Sequence, residues 1–288
     1  MELLEVRNLS KHYKSFDLKD ISFTLPKGYI MGYVGPNGSG KTTTLHLITG
    51  VLKGSGGEVY IDGRSCKEDV RAYREQIGYV GDESYFPDNF TPQNICKVLG
   101  DFYGTFSKEK FDRFLQKWNL PEKKQVKDFS RGMKVMLMFA SALSRDTKLL
   151  VLDEATNGLD PVMRTEILKL LQEYVMDGQR SVIFSTHILS DLEQIADYIY
   201  FIDEGRTVLH DTKDGMIDKF LLVKGESGTI PVALKKELIG LEENAYGFEA
   251  ILPSGKAGLL GDAFLVERPD IDKIVIHYIK NREKGKRI

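Results

Sequence analysis

The chain has 288 residues, 42% of them hydrophobic and 28% charged, with a formal net charge of −2, the balance of a globular protein able to bury a sizeable core. Near-neutral charge argues against a surface that coats nucleic acid, no apolar run reaches the ~18 residues of a bilayer span, and the first five residues lack the basic and apolar regions of a signal peptide. Cys66 and Cys96 fit no disulfide framework or metal spacing and read as reduced thiols.

Residues 3–9 and 21–25 read as early strands. Residues 29–34 form an apolar run suited to a buried strand, and residues 43–48 follow with a helical pattern. Between them, Gly35-Pro36-Asn37-Gly38-Ser39-Gly40-Lys41-Thr42-Thr43 fits G-x-x-x-x-G-K-[ST]. Its glycines let the backbone curl so that successive N–H groups from Asn37, Gly38, Ser39, Gly40 and onward to Thr43 point at phosphate oxygens. Lys41 reaches β- and γ-phosphates, the Thr42 hydroxyl suits Mg²⁺, and the following helix adds its N-terminal dipole beneath the anion. These residues imply a nucleoside triphosphate site.

Lys53-Gly54-Ser55-Gly56-Gly57 is a turn into a strand at 58–61, which Asp62-Gly63 ends. A strand at 77–80 is followed, from about 91 to 145, by helical patterns without strand signals. Lys148-Leu149-Leu150-Val151-Leu152-Asp153-Glu154 then reads as a buried strand with two carboxylates at its C-terminal end, where open α/β sheets bind ligands. Asp153 suits Mg²⁺, a hard cation that prefers oxygen, and Glu154 suits a base that polarises the attacking water. Phe184-Ser185-Thr186-His187 ends a further strand, and His187 could sense a γ-phosphate. His12, His46, His210 and His277 read as structural or surface residues, and Phe102, Tyr103 and Trp118 as core. Beyond Lys213 the phosphate-handling motifs stop, and glycine- and proline-bearing turns separate short strands.

The ordered set resembles the ATP-binding subunits of ABC transporters over about residues 2–210. Ala155-Thr156-Asn157-Gly158-Leu159-Asp160-Pro161 resembles their D-loop, Phe129-Ser130-Arg131-Gly132-Met133 their Leu-Ser-Gly-Gly-Gln signature, and Tyr13 stands where an aromatic stacks on adenine. The resemblance implies an α/β ABC ATPase core: a mostly parallel sheet with the phosphate loop, an antiparallel β segment and an inserted helical subdomain at about 91–145. This core spans 1–212, and a small α+β C-terminal extension follows at 213–288. It further implies ATP with Mg²⁺, and a head-to-tail dimer with a second ATPase subunit, identical or paralogous. In that dimer Ser130 and Gly132 serve the nucleotide of the other chain, and Asp160 of the D-loop belongs to the nucleotide-binding set. It implies a separate transmembrane permease, a place at the cytoplasmic face of the membrane, and no nucleic-acid partner.

Two positions depart from the pattern. Arg131 replaces the first signature glycine and Met133 the glutamine. After the strand at 77–80, Asp82 falls where the family has a glutamine at the Mg²⁺ ion, and a one-residue shift of register would put Glu83 there. These departures resemble the branch that exports drugs, antimicrobial peptides, lipids or polysaccharides from bacteria. The alternatives are an importer subunit, or an ABC-type ATPase acting on ribosomes or DNA. The aromatic run Tyr85-Phe86-Pro87-Asp88-Asn89-Phe90 is either part of a permease groove or packed inward. Lys280, Arg282, Lys284, Lys286 and Arg287 read as a solvated basic tail.

Overall fold

The computed structural model describes residues 1–285, and the side chains of residues 1–282. Six strands form the main sheet in the order Arg206–Thr212, Tyr198–Asp203, Ile30–Val34, Ser181–Ser185, Leu149–Asp153, Ile77–Val80. All neighbours run parallel except the edge hairpin of Tyr198–Asp203 with Arg206–Thr212. Ile30–Val34, Leu149–Asp153 and Ser181–Ser185 are buried at every residue. A parallel sheet covered on both faces requires this, so these strands read as unbroken apolar runs. The register aligns Asp153 with Ser185, Tyr33 with Ser185 and Val80 with Leu152. The loops that follow these strands are thereby brought to one end of the sheet, at the C-termini of its parallel strands.

A second, antiparallel sheet comprises Asp17–Pro26, Glu2–His12, Gly56–Ile61 and Arg64–Ser65. Its inward residues, among them Leu4, Val6, Ile21 and Val59, share a core with Tyr33, Leu45 and Ile48 beneath the phosphate loop. Between the strands Ile77–Val80 and Leu149–Asp153 stand the helices Pro92–Phe102, Lys108–Lys117 and Arg131–Leu143, each with a side-chain cap, from Thr91, Ser107 and Ser130. The core assignment of Phe102 is overturned, since it is 68% exposed. The buried positions of its helix, Pro92 and Ile95, lie in the first turns, and the last turn overhangs the core. Tyr103 lies beneath the Arg145 guanidinium, 3.6 Å from the ring centroid, and Trp118 is half-buried with its indole N–H donated to Glu166 at 2.9 Å.

From Lys213 a short helix, Lys213–Asp218, leads to an antiparallel sheet ordered Ile239–Asn244, Gly247–Pro253, Phe220–Gly225, Leu265–Glu267, and then to the helix Ile271–Gly285. Val223, Leu234, Phe248 and Leu252 make a cluster of their own, but Phe220, Leu222, Ile251, Ile271 and Ile274 join the core that holds Ile199 and Phe201. The terminal helix is therefore docked, against the expectation of a solvated tail. Lys280 pairs with Glu242 at 2.5 Å, and Arg282 pairs with Asp203 and Glu204. Lys286, Arg287 and the Lys284 side chain lie outside the described residues.

Candidate active site

The phosphate loop joins the strand Ile30–Val34 to the helix Lys41–Ile48. Two of its glycines are demanded by space. A Cβ on Gly35 would stand 2.2 Å from the Ile202 carbonyl oxygen, and one on Gly40, at φ +107°, would meet the Phe16 ring at 2.9 Å. Left-handed Gly40 opens the helix with no side-chain cap, so the first-turn amides are left for an anion. Ser39 is buried and its hydroxyl has no hydrogen-bond partner. Lys41, also buried, curls over its own loop and donates to the carbonyls of Gly35 (2.8 Å) and Pro36 (3.3 Å). Burial pushes its pKa below the ordinary lysine range, with Glu154 and Asp153 pulling the other way. An ammonium held short of full hydration gains from a triphosphate that restores its charge balance.

Asp153 ends the strand Leu149–Asp153 only 4% exposed, and its Oδ1 is buried without a hydrogen-bond partner. Burial pushes its carboxyl up and the Thr42 side chain pulls it down. Glu154 follows at φ +57°, a left-handed conformation costing a non-glycine residue about 1 kcal/mol. Its N–H bonds the Ser185 carbonyl at 2.9 Å, which fixes the bend. Its carboxylate is held from three sides: His187 Nε2 stands 2.7 Å and Lys41 Nζ 3.6 Å from Oε1, and the Asn157 amide donates to Oε2. The strained turn thus aims a largely buried carboxylate beside the Lys41 ammonium.

Thr42, Asp82, Asp153 and Glu154 line one open cavity of about 950 Å³, with His46 and Tyr79 on its wall. Glu83 lines it too. Asp82 forms an ion pair with Arg131, both side chains half exposed. The two residues that depart most from the family pattern therefore face each other. His46, read from sequence as structural or surface, joins Tyr79 through Nε2 at 3.2 Å.

The remaining candidates stand outside this cavity. Ser130 caps its helix by accepting the Met133 N–H at 3.2 Å, and Asp160 caps the helix Pro161–Val175 by accepting from Val162 and Met163, both at 3.0 Å. Gly132 lies against Met163, whose Sδ would be 3.1 Å from a Cβ. These three share an exposed rim that reaches the cavity through Arg131 and Asp82. Tyr13 is 43% exposed and tilts toward Phe16, whose ring edge abuts Gly40. Asn157 was not singled out from sequence, although its place three residues beyond Glu154 in a tight turn is the signal that could have found it.

A family model described as ABC transporter matches residues 18–157. The lantibiotic transport ATP-binding protein SrtF of Streptococcus pyogenes is 35% identical over 217 residues, which cover 74% of this chain and 92% of that protein. The bacitracin transport ATP-binding protein BcrA of Enterococcus faecalis is 34% identical over 209 residues, 72% of this chain and 68% of that one. Among solved structures, the ATP-binding subunit of an ABC transporter superposes with a TM-score of 0.68 at 28% identity, over 74% of this chain and 91% of that one.

Proposed function

The chain belongs to the ABC transporter ATPase family, and from that premise we propose that it drives an exporter of antimicrobial or similar amphipathic peptides through a separate permease at the cytoplasmic face of the membrane. The observation that carries the motor reading is Glu154, pinned by His187, Asn157 and Lys41 beside the phosphate loop. The loop amides and Lys41 hold the triphosphate, Glu154 takes the proton of the attacking water, and His187 steadies Glu154 and meets the γ-phosphate. Tyr13 offers its exposed ring to the base. Ser130, Gly132 and Asp160 serve the nucleotide of a second ATPase chain docked head to tail.

The buried, unpartnered Asp153 Oδ1 beside Thr42 and Asp82 gives an oxygen-only donor set, which suits Mg²⁺. Mg²⁺ bound there would neutralise charge on the phosphate oxygens. Because Asp82 also pairs with Arg131, its carboxylate is shared between the ion and the signature helix. Asp82→Asn is expected to raise the Mg²⁺ concentration for half-maximal ATPase activity by about threefold or more, Asp82→Gln to remain active, and Arg131→Met to lower the midpoint. Mg²⁺ titrations that give one unchanged midpoint for Asp82→Asn, in the isolated chain and in the permease complex, would remove Asp82 from the metal site and leave Glu83 to be tested.

Export is favoured by the relatives, whose names record lantibiotic and bacitracin transport. A permease surface is supported by half-exposed Tyr85 in the loop before the helical insertion and by exposed Phe102 on it, with exposed Val70, while Phe86 and Phe90 pack inward. Arg71 ties this edge together by donating to the Phe102 carbonyl at 3.5 Å. Among the described residues no helix is long and apolar enough to cross a membrane, so transport requires such a partner. The chain, purified from detergent-solubilised membranes, is expected to bring down a polytopic membrane protein, and a cationic amphipathic peptide to stimulate the complex's ATPase. No membrane partner would overturn the motor reading; a partner without peptide stimulation would overturn the substrate class.

A further inference from the structure

The terminal helix Ile271–Gly285 reaches the phosphate loop through one turn. Asp203 ends the first strand of the edge hairpin, and Glu204 and Gly205 connect it to the second. The Gly205 N–H donates to the Ser39 carbonyl at 2.9 Å, so the turn is bonded directly to the loop's backbone, and the Gly205 carbonyl accepts the Lys19 N–H at 2.8 Å. Asp203 is nearly buried, and one of its carboxylate oxygens accepts the Glu204 N–H at 2.9 Å. Arg282, from the terminal helix, pairs with both Asp203 and Glu204. A cleft of about 310 Å³ results, with Asn37, Gly38 and Ser39 on one wall and Ile279 and Arg282 on the other.

The charge arrangement poses a problem for a loop that must receive a triphosphate. Two carboxylates line the same cleft as four of its residues, Pro36 to Ser39, and one carboxylate is almost out of water, where a charge is weakly screened. The arginine that answers them comes from the extension, far along the chain. We propose that Arg282 is a positioning residue for nucleotide binding: it neutralises Asp203 and Glu204 beside the phosphate loop, and so makes ATP affinity depend on the docked C-terminal extension. The inference rests on the assignment of residues 35–43 as the triphosphate site. Arg282 does not touch the nucleotide; it acts through the turn bonded to Ser39. An exposed pair contributes little, and the Glu204 side chain is 59% exposed; the weight falls on Asp203, whose side chain is 9% exposed against 29% for Arg282.

The test is steady-state ATPase kinetics on the full chain at low and physiological salt. Arg282→Gln, which keeps a donor and removes the charge, is expected to raise KM for ATP about fivefold at low ionic strength, less at higher salt, with kcat little changed. Arg282→Lys should stay within about twofold of the parent. The triple variant Asp203→Asn, Glu204→Gln, Arg282→Gln loses both carboxylates together with the arginine that faces them, so its KM should return toward that of the parent. A purely mechanical clamp predicts the reverse, because the triple variant has lost both Arg282 ion pairs and would bind no better than Arg282→Gln. That result, or an unchanged KM in Arg282→Gln, overturns the proposal. If Arg282→Gln folds poorly, the kinetics of Arg282→Lys against the Asp203→Asn, Glu204→Gln double variant still decide. In the double variant the loop loses two anions and should bind ATP more tightly. A parent chain that does not bind ATP would instead sink the assignment of the triphosphate site.

Discussion

Glu154→Gln is expected to keep ATP binding and to lower hydrolysis by about a thousandfold, within the range for loss of a general base. The carboxamide has the size of the carboxylate, so the packing at the end of Leu149–Asp153 is kept. The bend at φ +57° is set by the backbone bond to Ser185 rather than by the side chain. What is lost is the ability to take a proton. The amide oxygen still accepts from the Asn157 side chain, and the new NH₂ on the other side can donate to His187 Nε2 in the tautomer that leaves that nitrogen unprotonated, so the neighbours stay ordered. The change also removes one negative charge 3.6 Å from the Lys41 ammonium, freeing that ammonium for phosphate. ATP affinity should therefore hold or rise while turnover falls, and the variant should accumulate with ATP uncleaved. Filter-binding of labelled ATP with single-turnover hydrolysis checks both halves. Turnover near the parent's, with binding retained, would take the base role away from Glu154.

The phosphate loop and the acidic pair were legible because their chemistry is local. A loop that crosses Ile202 at 2.2 Å of a virtual Cβ can hold only glycine at Gly35, and that requirement is written in the sequence. The covered parallel sheet was equally legible, since strands buried at every residue leave unbroken apolar runs. What resisted reading was pairing across distance. Asp82 and Arg131 stand 49 residues apart, and each taken alone is only a departure from pattern; their mutual neutralisation exists only in the fold. Arg282 belongs to the same class: a basic residue near the end of a chain suggests solvent, and only the docking of Ile271 and Ile274 into the core brings it to Asp203. Phe102 failed in the other direction. Its residue type suggests core, but helical phase and length put it on an overhanging turn, 68% exposed.

Lys41→Ala is expected to weaken ATP binding by about a hundredfold, the loss of a close charge-assisted contact to phosphate. The lysine is nearly buried and its ammonium is held by two loop carbonyls and Glu154. Truncation therefore also leaves those carbonyls without a donor and Glu154 without a cation. Lys41→Met separates the two effects, because it keeps the stem that fills the loop and removes only the charge. If the charge is what matters, Ala and Met lose affinity alike, as equilibrium binding of a fluorescent ATP analogue would read. If the stem matters, Met binds nearly as the parent does, and the electrostatic role of Lys41 fails. The same variant probes the second chain. A Lys41→Ala chain retains its own Ser130 rim, and a Ser130→Arg chain retains its own loop. Each alone should be nearly inactive. Mixed in equal amounts they should recover about a quarter of the parent activity, since half the dimers then hold one intact composite site out of two. Recovery requires that Ser130 of one chain complete the loop of the other. No recovery, from chains shown to dimerise, would mean that each loop works with its own signature helix, and the Arg131–Asp82 pair would then be the contact through which it does so.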